Sequence, residues 1–456
     1  MNLFERKDSH KKLELFREIT LEKNLFNPVQ GFSAKLGYES AEFIREAWKE
    51  ILKERQLKEN ISLYFHVPFC KDSRCSYCMY YSQVIFQSAV PEFYLNYLID
   101  EFNYFLPVME DITFKSMYIG GGTPSLLTNQ QLLKLFHMLA QVKFDEKAEK
   151  CFEQSFNTTS KEKILQLKQS GINRLSFGVQ SLEPLVLANV NRAISELSVI
   201  RSILKYCREL DYRELNVDLM IGLPGETKKG ITDTIEKLID SGADCITIYI
   251  FRHLKEHLSE KNTIGHSDLQ QYNSEYIPSL LKDIRDTVQK SNWVDTVNDD
   301  RTEYQFFTSE GHWNSYDLAG YRTQPDISVG NSVMGFGHTA YSYVQDFFRY
   351  ENRKKNKIFA SDSQQYVFDM INARDRQRVF VLDRLANRGY VDMKEFSTCF
   401  HEDFLASFSQ EVNEIRSLNK CYIENTQFRL DSSDRVETAA LCKFFWNPGY
   451  LASLIK

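Results

Sequence analysis

The chain has 456 residues and a mass of 53.5 kDa, enough for two to four domains of ordinary size. Apolar residues make up 43% and charged residues 26%, so a sizeable core is expected and wholesale disorder is excluded. The 56 Lys and Arg against 62 Asp and Glu give a net charge of −6, which weighs against nucleic acid as the main partner. No apolar run reaches membrane-spanning length and the N-terminus is too charged for a secretory signal, so we expect a cytoplasmic protein without a membrane partner.

Alternating strand and helix patterns occupy the middle of the chain. Residues 1–60 have a helical rhythm and no evident chemistry, so they are interpreted as a helical N-terminal segment. Alternation and strand-forming residues then predict six strands, at 61–67, 116–120, 150–155, 174–179, 215–221 and 245–251. One helix is predicted between each pair after the first cysteines, at 91–106, 129–141, 161–170, 197–210 and 229–241.

This alternation predicts an α/β fold with parallel strands joined by right-handed crossovers. Six units are too few for an eight-fold barrel, so we expect a partial (β/α)6 barrel, with extensions, over 61–345. A long helix is expected at 269–291, and 346–456 is interpreted as a small, mainly helical domain with a hairpin in CYIENTQFRLDSS. The basic segment FFRYENRKKNK is interpreted as a solvated linker, and MGFGHTA is rejected as a dinucleotide-binding fingerprint because no strand–turn–helix unit surrounds it.

Three of the nine cysteines stand together, in FCKDSRCSYC. Cys70, Cys75 and Cys78 lie within nine residues, while the other six are scattered and typical of buried thiols in a reducing compartment. Three clustered thiolates indicate a metal site. A [4Fe–4S] cluster held by three cysteines, with one iron open, is favoured; zinc and chance spacing remain alternatives.

Polar residues and glycines follow the predicted strands at their carboxyl ends, the edge where parallel barrels carry their sites. Gly121, Gly122 and Thr123 follow the second strand, and successive glycines let the backbone approach a ligand closely. The remaining candidates in or after later strands are Glu153, Gln180, Asp218 and Tyr249. We take Tyr64 in the first strand and Tyr249 in the sixth as the catalytic candidates.

Taken together, these stretches resemble the radical S-adenosylmethionine superfamily. More narrowly, they are similar to the family of oxygen-independent coproporphyrinogen III oxidases and their haem-chaperone relatives. The resemblance rests on LYFHVPFC, CSYC, YIGGGTPS, GINRLSFGVQS, NVDLMIGLPGET, ITIYIF and MGFGHTAYS, and it spans about 61–343. The last hundred residues are similar in outline to that family's C-terminal domain.

The resemblance implies a barrel of the radical S-adenosylmethionine type and a role for each candidate residue. Cys70, Cys75 and Cys78 would hold the [4Fe–4S] cluster, whose open iron would chelate S-adenosylmethionine. The residues implied in contacts with that cofactor are Tyr77, Gly121, Gly122, Thr123, Glu153, Gln180, Arg192 and Asp218. Reductive cleavage would yield a 5′-deoxyadenosyl radical that takes a hydrogen atom from a small-molecule substrate, a tetrapyrrole or another metabolite. An electron donor such as flavodoxin or ferredoxin is also implied.

Three functions remain open within this resemblance. The first is a radical enzyme that modifies an organic substrate, as coproporphyrinogen oxidase does. The second is a haem-binding chaperone without oxidase activity, and the third is a methyltransferase using two S-adenosylmethionine molecules. The chain differs from the family pattern in having four residues, 71–74, between its first two cysteines, and in having Met79, Tyr80 and Tyr81 where the oxidases carry a further cysteine.

Overall fold

The central sheet arises from strand–helix units in the order that the sequence predicts. The computed structural model describes residues 8–23, 25, 37–53, 61–78, 80–251, 268, 271–295, 304–309, 332–344, 348–352, 365–370, 372–432 and 434–454. The strands are β1 (Gly37–Ser40), β2 (Ile61–Val67), β3 (Phe69–Lys71), β4 (Gln83–Ile85), β5 (Thr113–Gly121), β6 (Lys143–Gln154), β7 (Arg174–Gln180), β8 (Glu214–Ile221), β9 (Cys245–Ile250), β10 (Trp293–Asp295), β11 (Tyr304–Ser309), β12 (Ser332–Phe336), β13 (Tyr341–Val344), β14 (Phe348–Asn352), β15 (Gln365–Met370), β16 (Tyr390–Asp392), β17 (Cys421–Glu424) and β18 (Gln427–Leu430).

Helices flank this sheet and form most of the C-terminal region. They are α1 (Ser9–Glu22), α2 (Ala41–Ile51), α3 (Glu92–Met109), α4 (Asn129–Leu139), α5 (Lys161–Gln169), α6 (Pro184–Asn189), α7 (Leu197–Glu209), α8 (Lys228–Asp240), α9 (Ile277–Gln289), α10 (Ala373–Arg388), α11 (Met393–Phe400), α12 (Phe404–Ser407), α13 (Ser409–Ser417), α14 (Arg435–Cys442) and α15 (Pro448–Leu454). None of these described helices has the length and apolar composition needed to cross a bilayer.

Six parallel strands position the candidate site. They lie side by side in the order β2-β5-β6-β7-β8-β9, with Tyr64 paired to Tyr118 and Tyr118 to Cys151. All seven residues of β2 are buried, as expected for a parallel strand covered on both faces. The predicted α/β fold with a parallel core is confirmed, and the carboxyl ends of the six strands meet at one edge.

The sheet is larger than predicted, with thirteen strands among the described residues. β12 adds a further parallel strand beside β2, and short antiparallel strands continue the sheet on both sides. These strands lack the alternation with helices that identified the six core strands. β12 contains the first part of MGFGHTA and is followed by antiparallel β13, so the segment does not open a dinucleotide-binding unit, as predicted.

Two local predictions need correction. Residues 348–352 of the predicted basic linker form β14. Tyr350 in this strand is buried and accepts a hydrogen bond from Trp48 Nε1 at 2.9 Å. The other linker residues, 345–347 and 353–360, lie outside the described residues. A second helix, α6, precedes α7 between β7 and β8, where one was predicted. It is only six residues long and begins at a proline, so it left little periodic signal.

The apolar core has two main parts. The larger packs helices such as α3 and α4 against the central sheet. The smaller lies among the C-terminal helices and also includes Leu13, Phe16 and Ile19 of α1. The division of the chain into 1–60, 61–345 and 346–456 stays a prediction.

Candidate active site

The three clustered cysteines lie on one loop at the carboxyl end of β2. Cys70 belongs to β3, which pairs with β4, and Cys75 and Cys78 follow in a turn closed by a bond from Cys78 N to Cys75 O at 3.2 Å. All three thiols are half-buried. Asp72 adopts a left-handed conformation with φ 63°, which aspartate tolerates better than most residues. The longer spacing between the first two cysteines is therefore accommodated within a turn.

The thiols lie close enough to affect one another. Burial raises the pKa of the Cys78 thiol, and the nearby Cys70 and Cys75 add to that rise. Among the described residues, no three Cys, His, Asp or Glu side chains converge on a point that could hold a single metal ion. A cubane does not require such convergence, because each thiolate binds a different iron. The cluster on Cys70, Cys75 and Cys78 therefore stays a prediction, made from the thiol chemistry and the shared loop.

The glycine turn packs directly against the start of the cysteine loop. A Cβ on Gly122 would lie 2.7 Å from the backbone nitrogen of Phe69 and closer still to its carbonyl oxygen. Gly122 N donates to Val67 O at 2.8 Å, and Gly121 has φ 115°, a conformation that favours glycine. The predicted residues Gly121, Gly122 and Thr123 are thereby brought beside Cys70.

Glu153 lies next to this turn, at the end of β6. Its carboxylate accepts hydrogen bonds from the Tyr118 hydroxyl at 2.7 Å and from Gly121 N at 3.1 Å. Burial raises its pKa to about 7, and the nearby Asp218 adds to the rise, while the two hydrogen bonds oppose it. Glu153 therefore sits near the balance between its neutral and charged forms at physiological pH.

Asp218 belongs to a polar network inside the barrel. Asn216 Nδ2 donates to its Oδ1 at 2.7 Å and Ser176 Oγ donates to its Oδ2 at 3.1 Å. Burial raises the pKa of Asp218, while Arg174 and these two hydrogen bonds counteract the rise. Arg174 itself forms a buried ion pair with Glu214 at 2.6 Å. The carboxylate is thus held in a fixed orientation at the barrel end.

Gln180 and Arg192 approach the cysteine loop from β7 and the segment that follows α6. Gln180 has φ 65°, and its side-chain Oε1 is buried without a hydrogen-bond partner among the described residues. Arg192 donates to Gly178 O at 2.5 Å and to Cys75 Sγ at 3.5 Å. A buried amide oxygen without a partner is costly, so Gln180 is an acceptor free for a ligand.

The predicted tyrosines also face this region. The hydroxyl of Tyr64 bonds His66 Nδ1 at 2.7 Å, and His66 Nε2 bonds the carbonyl of Tyr81 at 3.1 Å. A carbonyl only accepts, so Nε2 carries the hydrogen and Tyr64 donates to Nδ1. Burial lowers the pKa of His66 to about 4 and keeps it neutral.

Tyr77 and Tyr249 pack against one apolar cluster, which consists of Val186, Val190, Met220, Leu223 and Phe251. The Tyr77 hydroxyl is buried without a partner among the described residues. Burial raises the pKa of Tyr249, and the charge of Asp218 adds to the rise. An apolar wall with unpartnered polar atoms is typical of a ligand pocket.

The structure brings the predicted residues to one region of the barrel. Some are joined directly, as Gly121 is to Glu153 and Arg192 is to Cys75, and others through neighbouring polar side chains. Tyr118 and Asn216 were not predicted, although each holds a predicted carboxylate. The available signal was that residues two apart in a strand share a face. Asn216 lies two residues before the predicted Asp218 in β8, and Tyr118 lies two residues before Gly120, whose Cβ would meet Glu153.

Comparisons with known proteins show what the chain is similar to. Residues 64–238 match the model of the Radical SAM superfamily. The chain is 35% identical over 190 residues to the heme chaperone HemW of Bacillus subtilis (strain 168), covering 41% of this chain and 49% of that protein. It is 27% identical over 304 residues to the oxygen-independent coproporphyrinogen III oxidase of Salmonella typhimurium (strain LT2), covering 66% of this chain and 64% of that protein. The matches thus span about half and just under two thirds of these relatives' lengths.

A solved structure extends the likeness over most of the fold. The coproporphyrinogen III oxidase (HemN) from Escherichia coli, described as a radical SAM enzyme, superposes with a TM-score of 0.73 at 20% identity. The alignment covers 90% of this chain and 94% of that chain. The chain therefore has a domain that belongs to the radical SAM superfamily, and it is homologous both to heme chaperones and to oxygen-independent coproporphyrinogen III oxidases.

Proposed function

We propose that this chain is a radical enzyme that binds a [4Fe–4S] cluster through Cys70, Cys75 and Cys78 and uses S-adenosylmethionine to modify a small organic substrate. The observation that carries the proposal is the position of the cysteine loop, against the glycine turn and within hydrogen-bonding distance of Arg192. When bound, the cluster supplies one electron for the cleavage of S-adenosylmethionine to methionine and a 5′-deoxyadenosyl radical.

The residues at the barrel end have chemistry that suits the parts of such a cofactor. Gly121, Gly122 and Thr123 offer backbone groups with little side chain in the way, suited to the amino-acid end. Arg192 offers charged donors for a carboxylate, and Glu153 offers an acceptor for an ammonium group. Asp218 and Gln180 Oε1, which has no partner in the described part of the chain, offer acceptors for ribose hydroxyls.

Tyr77 and Tyr249 form part of the apolar wall and exclude water from the reacting region. Tyr64 holds its proton, because burial keeps its pKa well above the usual value and its hydroxyl is committed to His66. Tyr64 and Tyr249 are therefore proposed to position the substrate as neutral hydrogen-bonding groups. A one-electron donor such as flavodoxin or ferredoxin would complete the cycle.

The substrate is proposed to be a tetrapyrrole, with a coproporphyrinogen-type oxidation as the reaction. The fold similarity to the Escherichia coli oxidase over nine tenths of the chain supports this choice. The competing proposal, a heme chaperone, is supported by the higher identity to the Bacillus subtilis protein, although over a shorter part of the chain.

One experiment separates these functions. The chain is reconstituted anaerobically with iron and sulfide, then incubated with a reductant, S-adenosylmethionine and coproporphyrinogen III. We expect 5′-deoxyadenosine and CO₂ to form with wild-type protein and with Cys399→Ala, which replaces an exposed cysteine outside the cysteine loop, but not with Cys78→Ala. Stable heme binding without either product would favour the chaperone, and a methylated product would favour methyl transfer.

A further inference from the structure

Arg192 lies on a segment that is fastened to the cysteine loop. Ser76 N donates to Val190 O at 3.0 Å, and Asn191 Nδ2 donates to Arg74 O at 2.9 Å. Each member of the segment Val190, Asn191 and Arg192 therefore contacts a member of the loop. The position of Arg192 beside the loop is set by the backbone and by side-chain hydrogen bonds, not by one long flexible side chain.

The guanidinium of Arg192 is held at two points. Nη2 donates to Gly178 O at 2.5 Å and Nη1 donates to Cys75 Sγ at 3.5 Å, while Nε is buried without a partner among the described residues. Gly178 leaves room for this arrangement, because a Cβ there would lie 2.9 Å from Nη2. A planar group anchored to a strand end thus directs one N–H at a single cysteine sulfur.

We infer that Arg192 sets the reduction potential of the cluster through its N–H···S bond to Cys75, in addition to any contact with S-adenosylmethionine. The inference rests on the proposed function, because it requires a cluster on the three cysteines. Hydrogen bonds to the cysteine sulfurs and the net charge around a cluster both tune its potential. A cationic donor at a thiolate stabilises the reduced, more negative form, so Arg192 raises the potential and makes the cluster easier to reduce.

A second cation near the cysteines, Lys71, provides a control for the effect of charge alone. Lys71 is also a cation, adjacent to Cys70, but its side chain is exposed to solvent. Water and salt screen an exposed charge far more than a half-buried one. Lys71→Gln therefore removes a nearby charge without removing a donor from a thiolate.

The test is an anaerobic redox titration monitored by electron paramagnetic resonance, on reconstituted protein without S-adenosylmethionine. Omitting that cofactor removes any effect of Arg192 on its carboxylate. We expect Arg192→Gln to lower the midpoint potential by at least ~59 mV, a tenfold change in the one-electron equilibrium. We expect a clearly smaller change in Lys71→Gln, and higher Fe–S(Cys) stretching frequencies by resonance Raman in Arg192→Gln alone.

The iron and sulfide content of each protein distinguishes failure of the proposed function from failure of the inference about Arg192. If wild-type protein takes up no four-iron cluster, the proposed function is wrong. If Arg192→Gln carries four irons and its potential moves no more than that of Lys71→Gln, the inference about Arg192 is overturned. If Arg192→Gln binds too little cluster to be titrated, Arg192→Lys replaces it. Lysine keeps the charge but lacks the planar guanidinium that reaches Cys75, so the midpoint potential should still fall. A wild-type midpoint potential in Arg192→Lys would overturn the inference.

Discussion

Two carboxyl groups at the barrel end have been placed in different environments. Asp218 receives donors from Asn216 and Ser176 and lies in the field of Arg174. Glu153 also receives two donors, but burial outweighs them and raises its pKa to about 7. Burial raises the pKa of both carboxyl groups, and the charge of Asp218 adds to the rise at Glu153, so two carboxyl groups with shifted pKa values lie in one region, an arrangement typical of functional sites.

Glu153 makes the stability of the cluster-free protein depend on pH. Its folded pKa of about 7 lies above the ordinary value of 4.5, so the folded state binds more protons between these pH values. The free energy of unfolding contributed by this group therefore falls as the pH rises through that window, by up to about 3 kcal/mol at full burial. Because the side chain keeps some exposure, we expect about 1–2 kcal/mol.

Glu153→Gln should remove this dependence. We expect the variant to be more stable than wild type at pH 8 and to lose most of that advantage at pH 5, as measured by urea denaturation of the cluster-free chain. An equal difference at both pH values would show that Glu153 does not titrate in this range. Exposed Glu162→Gln, at the start of α5, serves as the control.

Gln180 should contribute to cofactor binding rather than to folding. Gln180→Ala removes a buried oxygen that has no hydrogen-bond partner among the residues that the structure describes, and alanine has about the same left-handed backbone cost as glutamine. We expect S-adenosylmethionine to bind about threefold to tenfold more weakly by calorimetry, with the cluster content unchanged. Unchanged affinity would remove Gln180 from the site. Gln169→Ala, on the exposed end of α5, provides the matched control.

At the scale of elements, the glycine turn after β5 determines where the cysteine loop lies. Gly122→Ala places a methyl group against the backbone of Phe69, which cannot move aside as a flexible side chain could. We expect the free energy of unfolding to fall by about 1–3 kcal/mol and the iron content after reconstitution to fall with it. Gly37→Ala, whose Cβ would lie 3.8 Å from Phe368 O, an ordinary van der Waals contact, should change neither quantity appreciably. Full iron content in Gly122→Ala would mean that the turn does not position the loop.

The strands also show how much of the fold could be predicted from the sequence. Strand-forming segments separated by helices allowed all six core strands to be predicted, but β6 begins at Lys143, seven residues before its predicted start, because KFDEKAEK is too polar to indicate a buried strand. The antiparallel strands β13, β14 and β15 could not, because they are short and some of their contacts are distant in sequence: β15 pairs with β1, and Tyr350 of β14 bonds Trp48. Cys70, Cys75 and Cys78 were recognisable from spacing, whereas Tyr118 and Asn216 matter through contacts across strands.

At the scale of the whole molecule, the two ends of the described chain pack together. The rings of Phe16 and Phe444 lie 5.1 Å apart, and the buried Lys443 donates to Thr20 Oγ1 and to Leu25 O, each at 2.7 Å. The helical N-terminal segment thus contributes to the core of the C-terminal helices. The barrel end that carries the candidate site is formed by other elements, so the chemistry proposed here depends on the central strands and their loops.

The most direct test of the account is the iron and sulfide content of the anaerobically reconstituted chain, together with its paramagnetic resonance spectrum after reduction. We predict about four irons for each wild-type chain and each Cys399→Ala chain, with a spectrum that changes when S-adenosylmethionine is added. We predict that Cys75→Ala holds no intact cluster, because two thiolates cannot secure it. A full four-iron complement in Cys75→Ala, or a wild-type chain that binds one zinc ion and no cluster, would contradict the account.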